Sequence, residues 1–198
     1  MVNAEQVAAL RELLAPTGWV DRAAEFARAL RTSTRTPGGL LVVGTPADEP
    51  WHLTAHLDEE SRLGGIPELA PTLVRWSPPP DAPPHLTVGL ARLEEARRGE
   101  SLLVVTPGTA PDPLLERVSD ARHSGALILA LDRGDPQLED LAHEALVVEP
   151  TAAPLSFDAA QHLVSSAAGT RPERERGIRA WLARVLDTVS GPAPGSAG

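Results

Sequence analysis

Two patterns of apolar residues alternate along the chain. Short continuous apolar runs, which are typical of strands buried on both faces of a parallel sheet, separate stretches in which apolar residues recur at helical spacing. The runs predict strands at residues 40–43, 73–76, 102–105, 126–131 and 146–148. The helical spacing predicts helices at residues 4–14, 19–31, 51–60, 88–98, 114–123, 137–143, 157–168 and 174–189.

Strands that alternate with helices imply right-handed βαβ crossovers. The predicted fold class is therefore α/β, with three α/β/α layers around a mostly parallel sheet and flanking N- and C-terminal helices. Ligands of such sheets bind beyond the carboxyl ends of the strands. The loops of interest are accordingly residues 44–50, 106–113 and 132–136.

The length of 198 residues favours one domain. We predict a single domain over residues 1–190, with a helical lead at 1–36, a core at 39–169 and a C-terminal helix at 173–190. The segment SPPPDAPP at residues 77–84 is a surface loop, because its prolines lack backbone donors. Residues 191–198, GPAPGSAG, are expected to be a disordered tail.

Composition removes several classes of function. The chain has no cysteine, lysine or tyrosine, which excludes thiolate chemistry, Schiff bases and phenolic acids or bases. The net charge of −9 argues against nucleic acid and anionic membranes as partners. No apolar run is long enough for a membrane helix, and the N-terminus has the pattern of an amphipathic helix, not of a signal peptide. A cytoplasmic location is the expectation.

Order and spacing of the motifs between Gly39 and Gly169 resemble the sugar isomerase (SIS) family, and within it the phosphoheptose isomerases. The first stretch that carries the resemblance is LLVVGTPADEPWHLTAHL, a strand, loop and histidine-bearing helix. The others are LLVVTPGTAPDPLLERVSDARHSGALILALD, LEDLAHEALVVEP and FDAAQHLVSSAAG. The resemblance implies a flavodoxin-like domain, a homodimer or higher homo-oligomer, and a sugar phosphate or other small anionic ligand bound between subunits.

The functional residues of the family match less well than the order of elements. His52 matches the family histidine, whereas His56 stands where the catalytic glutamate is expected. Gln161 resembles the family glutamine, but Gly169 occupies the position of a later histidine. His162, next to Gln161, is predicted to face elsewhere.

The loop at residues 106–113 is the candidate phosphate loop. Thr106 and Thr109 offer hydroxyls and Gly108 permits close approach, but three prolines in the loop have no N–H to give an anion. Asp112 is predicted to cap the following helix itself, as are Asp48 or Glu49 and Asp135, each ahead of a proline. The predicted ligand-binding residues are Thr45, Thr106, Gly108, Thr109 and Gln161.

His52 and His56 lie four residues apart on a predicted helix and share a face. Two histidines are not a metal site, and the glutamate that a zincin places after its first histidine is Leu53 here. We therefore predict no metal and no cofactor. A neutral histidine can serve as a base near neutral pH, so His52 and His56 remain the candidate catalytic residues.

Three functions fit the sequence. The first is a non-catalytic SIS-like protein, a pseudoenzyme that senses a ligand or acts as a dimeric scaffold. The second is an active aldose–ketose isomerase acting on a sugar phosphate. The third is a protein-interaction module anchored by Trp19, Trp51 and Trp181.

Overall fold

The computed structural model describes residues 18–149 and 155–169. Its helices are α1 (Trp19–Ser33), α2 (Trp51–Gly64), α3 (Ala91–Glu94), α4 (Asp112–His123), α5 (Pro136–Leu141) and α6 (Phe157–Gly169). Its strands are β1 (Leu40–Val43), β2 (Pro71–Val74), β3 (Ser101–Val105), β4 (Leu127–Asp132) and β5 (Glu144–Val147). The helices predicted at 4–14 and 174–189, the predicted tail and Trp181 lie outside the described residues.

The five strands form one parallel sheet in the order β2-β1-β3-β4-β5. This is the strand order of flavodoxin-like folds, and it confirms the predicted fold class. After β1, the chain adds β2 on one side of it and then crosses to the other side, where it adds β3, β4 and β5 in turn. The direction therefore reverses between β1 and β3, and the loops that follow these strands part there.

Alternate strand residues face opposite layers. Leu40, Val42 and Leu103 pack under α1, α2 and α6, whereas Leu41 and Val104 pack under α3, α4 and α5. The four residues of β1 and the five of β3 are all buried, which explains their continuous apolar sequence. Trp19 is 1% exposed in the first of these layers, so it is a core residue and not the surface anchor that the interaction-module hypothesis required.

One predicted helix is largely wrong. Residues 88–98 form only a single α-helical turn, Ala91–Glu94. The Arg75 N–H donates to the Val88 carbonyl at 2.8 Å, and Arg75 forms a parallel bridge with Gly89. This contact extends the sheet and holds the start of the segment in an extended conformation. The apolar spacing was correct in that Leu93 and Ala96 are buried, but it did not reveal this competing contact.

Candidate functional site

A cleft of about 280 Å³ opens where the direction of the sheet reverses. We call it the switch-point cleft; its lining comes from the end of β3, from the loops after β1, β3 and β4, and from the N-terminal parts of α2 and α6. The lining consists of residues 48–52, Val105, Pro107, Arg133, residues 156–158 and Gln161. This position, at the carboxyl ends of the strands, is where doubly wound folds bind ligands.

A tight turn leads from β1 into the cleft. The Thr45 and Asp48 backbones exchange N–H···O bonds of 3.2 Å, and the Asp48 N–H also donates to the Thr45 hydroxyl at 3.1 Å. A side chain on Gly44 would overlap the Asp48 carbonyl oxygen, so the turn requires glycine there. The Thr45 hydroxyl is thus engaged within its own loop, and Thr45 is not among the cleft-lining residues.

Glu49 organises the wall beyond this turn. Its carboxylate accepts from Arg75 Nε at 3.0 Å, from the Trp76 N–H at 3.2 Å and from Trp51 Nε1 at 3.1 Å. The Arg75 guanidinium lies 4.5 Å from the Trp51 ring centroid. The prediction that Asp48 or Glu49 caps α2 was wrong, because Pro50 holds the N-cap position with no side-chain hydrogen bond. Glu49 instead contacts Arg75 and Trp76, just after β2, and local sequence does not reveal this contact.

The loop at residues 106–113 engages the Thr106 hydroxyl in hydrogen bonds within the loop. Thr106 is fully buried, and its hydroxyl accepts from the Gly108 N–H at 3.2 Å and donates to the Gly108 carbonyl at 2.8 Å. Gly108 and Thr109 are exposed. Thr106, Gly108 and Thr109 do not line the switch-point cleft. Val105, at the end of β3, and Pro107 line it where this loop begins.

Two buried aspartates lie at the end of β4 and in the loop that follows it. Asp135 caps α5 as predicted, accepting from the Gln137 and Leu138 N–H groups at 3.1 and 3.4 Å. Its second oxygen accepts from the Ala110 N–H at 2.7 Å. Asp135 therefore ties the start of α5 to the loop after β3, across 25 residues of sequence.

Asp132 lies beside this cap and is fully buried. Its Oδ1 accepts from the Gly134 and Asp135 N–H groups at 2.6 and 3.2 Å, while Oδ2 has no hydrogen-bond partner among the described residues. Burial raises the pKa of the Asp132 carboxyl, and the two backbone hydrogen bonds oppose that rise.

The prediction that Asp112 caps α4 was wrong. Pro111 is the N-cap, Asp112 is the first helical residue, and no side chain caps this end. Asp112 and Asp135 each precede a proline, yet only Asp135 is buried at a cap.

A second cleft of about 180 Å³ adjoins the first and separates α2 from α6. We call it the histidine cleft; it is lined by His52, Leu53, His56, Asp158, Gln161 and His162. The shared face predicted for His52 and His56 is confirmed, since both line it. The prediction that His162 faces elsewhere was wrong, because Gln161 and His162 both line this cleft.

His56 and His162 contact each other across the histidine cleft. Their rings meet edge to face with centroids 4.3 Å apart. Burial lowers the pKa of His162, and the nearby His56 and His52 lower it further, while Asp158 acts in the opposite direction. His162 is therefore favoured in its neutral form. No spacing rule in the sequence identifies it, because its role depends on how α6 packs on α2.

The remaining polar groups of the switch-point cleft come from two elements. Arg133, after β4, places its guanidinium 5.5 Å from the Phe157 ring centroid and makes no salt bridge within the described part of the chain. On α6, Gln161 Nε2 donates to Asp158 Oδ1 at 3.4 Å. The sequence had marked the loop of Arg133 by its position after a strand, but nothing had marked Asp158.

Over residues 18–149 and 155–169, no group of three or more His, Asp or Glu side chains is arranged to hold a metal ion. No helix within these ranges is both long and apolar enough to cross a membrane.

Two solved structures share this fold. A putative phosphosugar isomerase from Silicibacter pomeroyi DSS-3 matches with a TM-score of 0.54 and 16% identity over 90% of this chain. A putative sugar binding protein from Salmonella typhimurium LT2 matches with a TM-score of 0.54 and 14% identity over 93% of it. The chain spans about half the length of each, 51% and 54%. No family model matches the chain, and no curated protein does.

At these identities the similarity establishes the fold alone. It agrees with the three-layer α/β/α architecture that the sequence pattern predicted.

Proposed function

We propose that this protein is a non-catalytic SIS-like protein that binds a small sugar-type ligand in the switch-point cleft. The observation that carries the proposal is the meeting of His52 from α2, Arg133 from the loop after β4 and Gln161 from α6 in one cleft. These side chains come from distant parts of the chain and converge where the fold binds ligands. The solved structures of similar fold, one described as a sugar-binding protein, support the ligand class.

The absence of isomerase activity is proposed from the state of His56. Proton abstraction alpha to a carbonyl requires a base within hydrogen-bond reach of the substrate. His56 holds the position at which the family has glutamate, lies half-buried against His162, and lines the histidine cleft, not the switch-point cleft. A ligand in the larger cleft would lie nearer to His52 than to this candidate base.

An active isomerase is the second candidate, because one observation favours it. His52, His56 and Gln161 all line the histidine cleft, so the three predicted residues are brought together. A neutral imidazole held there could take a proton from a substrate that spans both clefts.

Incubation with an aldose phosphate, with its ketose product followed by chromatography, separates the two proposals. We expect no interconversion above the buffer blank. Conversion that disappears in His56→Ala and persists in His85→Ala would establish the isomerase, since His85 is exposed and lies outside both clefts.

Ligand binding itself is tested by thermal shift with free sugars, because a ligand of the native state must raise the melting temperature. We expect at least one sugar to do so in the wild-type protein and to lose its effect in Gln161→Ala. A flat response to the whole panel would contradict the proposed function.

A homodimer in the cytoplasm completes the proposal, as the SIS resemblance implies. Analytical ultracentrifugation measures the oligomeric state, and a monomer at all concentrations would contradict the dimer.

A further inference from the structure

We infer that the ligand of the switch-point cleft carries no phosphate group, because the loop that would hold one is already occupied by the carboxylate of Asp135. This inference rests on the proposed function and specifies its ligand. It is carried by the contact between Asp135 and Ala110 and by the charges around the cleft.

Phosphate binding in such folds depends on free backbone N–H groups where a loop leads into a helix. In the loop after β3, the Ala110 N–H is held by Asp135 Oδ2 at 2.7 Å and the Gly108 N–H by the Thr106 hydroxyl at 3.2 Å. The three prolines of the loop offer no donor: Pro107, Pro111 and Pro113.

Asp135 is not free to yield this position. It is 5% exposed, and besides Ala110 it accepts hydrogen bonds from the N–H groups of Gln137 and Leu138 at the start of α5. A phosphate at the loop would have to displace a charged acceptor that satisfies three backbone donors. It would also lie near the fully buried carboxyl of Asp132, which is a further source of repulsion when ionised.

The lining of the cleft disfavours an anion as well. Asp48, Glu49 and Asp158 line it against Arg133 and His52, and Glu49 is already paired with Arg75 at 3.0 Å. At the start of α6, the Ser156 hydroxyl accepts from the Ala159 N–H at 3.1 Å, and Asp158 adds a negative charge in the first helical turn. This helix N-terminus is thus supplied with oxygen acceptors of its own.

What the cleft offers suits an uncharged sugar. Asp48, Asp158 and Gln161 can accept hydrogen bonds from hydroxyl groups, and the exposed Trp51 ring offers an apolar surface for the C–H face of a sugar ring. Arg133 donates to hydroxyl oxygens as readily as to an anion.

Inorganic phosphate is the direct probe of the loop. In the wild-type protein we expect added phosphate to leave the melting temperature unchanged relative to sodium chloride of equal ionic strength, and to leave the Ala110 and Gly108 amide resonances unmoved. In Asp135→Ser we expect a rise of roughly 2–4 °C with phosphate, because serine still caps α5 but is too short to reach Ala110. Asp135→Asn fills the same space and keeps one of the two acceptor oxygens, so it is the matched control and should respond less.

The result that overturns the inference is a phosphate-dependent rise in the wild-type melting temperature together with movement of the Ala110 amide resonance. If Asp135→Ser does not fold, the wild-type measurement still decides, since it needs no variant.

Calorimetry with free sugars and their monophosphates separates this inference from the proposed function. Binding of a free sugar, with its monophosphate at least tenfold weaker, is the expected result. Tighter binding of the monophosphate would overturn the inference and leave the proposed function standing. Binding of neither would overturn the proposed function. The titration with inorganic phosphate would still show whether the loop after β3 can bind an anion.

Discussion

The rim of the switch-point cleft has a loop side and a helix side, and the two differ in what they leave available. On the loop side, after β3, the Gly108 and Ala110 N–H groups are bound by neighbouring side chains. On the helix side, His52 and Gln161 line the cleft, and Gln161 Nε2 donates to Asp158 within its own helix at 3.4 Å. Both sides belong to the same fold. What each side can bind is therefore determined by its available hydrogen-bond donors and acceptors, and not by the topology of the sheet.

The strongest test of the loop side is Asp135→Ala. It should lower the free energy of unfolding by roughly 2–4 kcal/mol, because it removes the cap of α5 and leaves the Ala110 N–H without its acceptor. Asp112→Ala is the matched control and should cost less than about 1 kcal/mol, since Asp112 caps nothing. Urea unfolding measures both, and equal losses would refute the difference between the two Asp-Pro helix starts.

A pair of glycines compares the turn after β1 with the loop after β3. Gly44→Ala should cost about 1–3 kcal/mol, because its Cβ would overlap the Asp48 backbone. Gly108→Ala should change stability by less than about 1 kcal/mol in either direction, because no atom lies within 4 Å of its added Cβ. Thermal or urea unfolding distinguishes the two, and a tolerated Gly44→Ala would show that the turn after β1 can relax.

Of these two sides, the helix side is the one on which ligand binding is expected to depend. Gln161→Ala should weaken the affinity for a bound sugar about tenfold, the effect of losing one well-placed hydrogen bond in a cleft. Thr109→Ala should leave the affinity unchanged, because Thr109 is exposed and does not line the cleft. Isothermal titration calorimetry gives both constants; a loss confined to Thr109→Ala would place the ligand at the loop instead.

The smallest effect concerns the pH dependence of His162. Its folded pKa is lowered from 6.5, so the unfolded chain binds a proton more readily. The related stability is fully present above the unfolded pKa and is lost as the pH falls below it. Between about pH 7.5 and pH 5, His162→Gln should therefore lose less stability than the wild type, by under about 0.5 kcal/mol for this half-exposed group.

Urea unfolding at both pH values measures this difference, with His85→Gln as the control at an exposed site. An identical pH dependence of wild type and His162→Gln would show that neither burial nor the neighbouring histidines perturb the titration of His162.

The layers of the fold could be predicted from sequence because the central strands β1, β3 and β4 are buried on both faces. The run Leu40–Val43 has no polar residue. In an α/β fold, a four-residue apolar segment between turn-forming residues is typical of a buried strand of the parallel sheet. The helix at residues 88–98 failed for the opposite reason: a hydrogen bond from Arg75 to Val88 competed with helix formation, and periodicity does not report such contacts.

The site was predictable only where neighbours in sequence are neighbours in space. His52 and His56 share a helical face, so their proximity followed from spacing. Asp135 and Ala110 are 25 residues apart and meet through tertiary packing, as do His56 and His162. Local rules correctly identified Asp135 as a cap but could not assign its second oxygen.

The edge strands of the sheet bear on how copies of this protein can associate. β2 and β5 are only four residues long, and β2 begins with Pro71, which has no N–H to offer a neighbouring strand. Beyond β2, the Arg75 N–H is already bonded to Val88. Short, interrupted edges of this kind resist strand-to-strand aggregation. Any dimer should therefore form through helices and loops, and concentrated solutions should not convert readily into β-rich fibres.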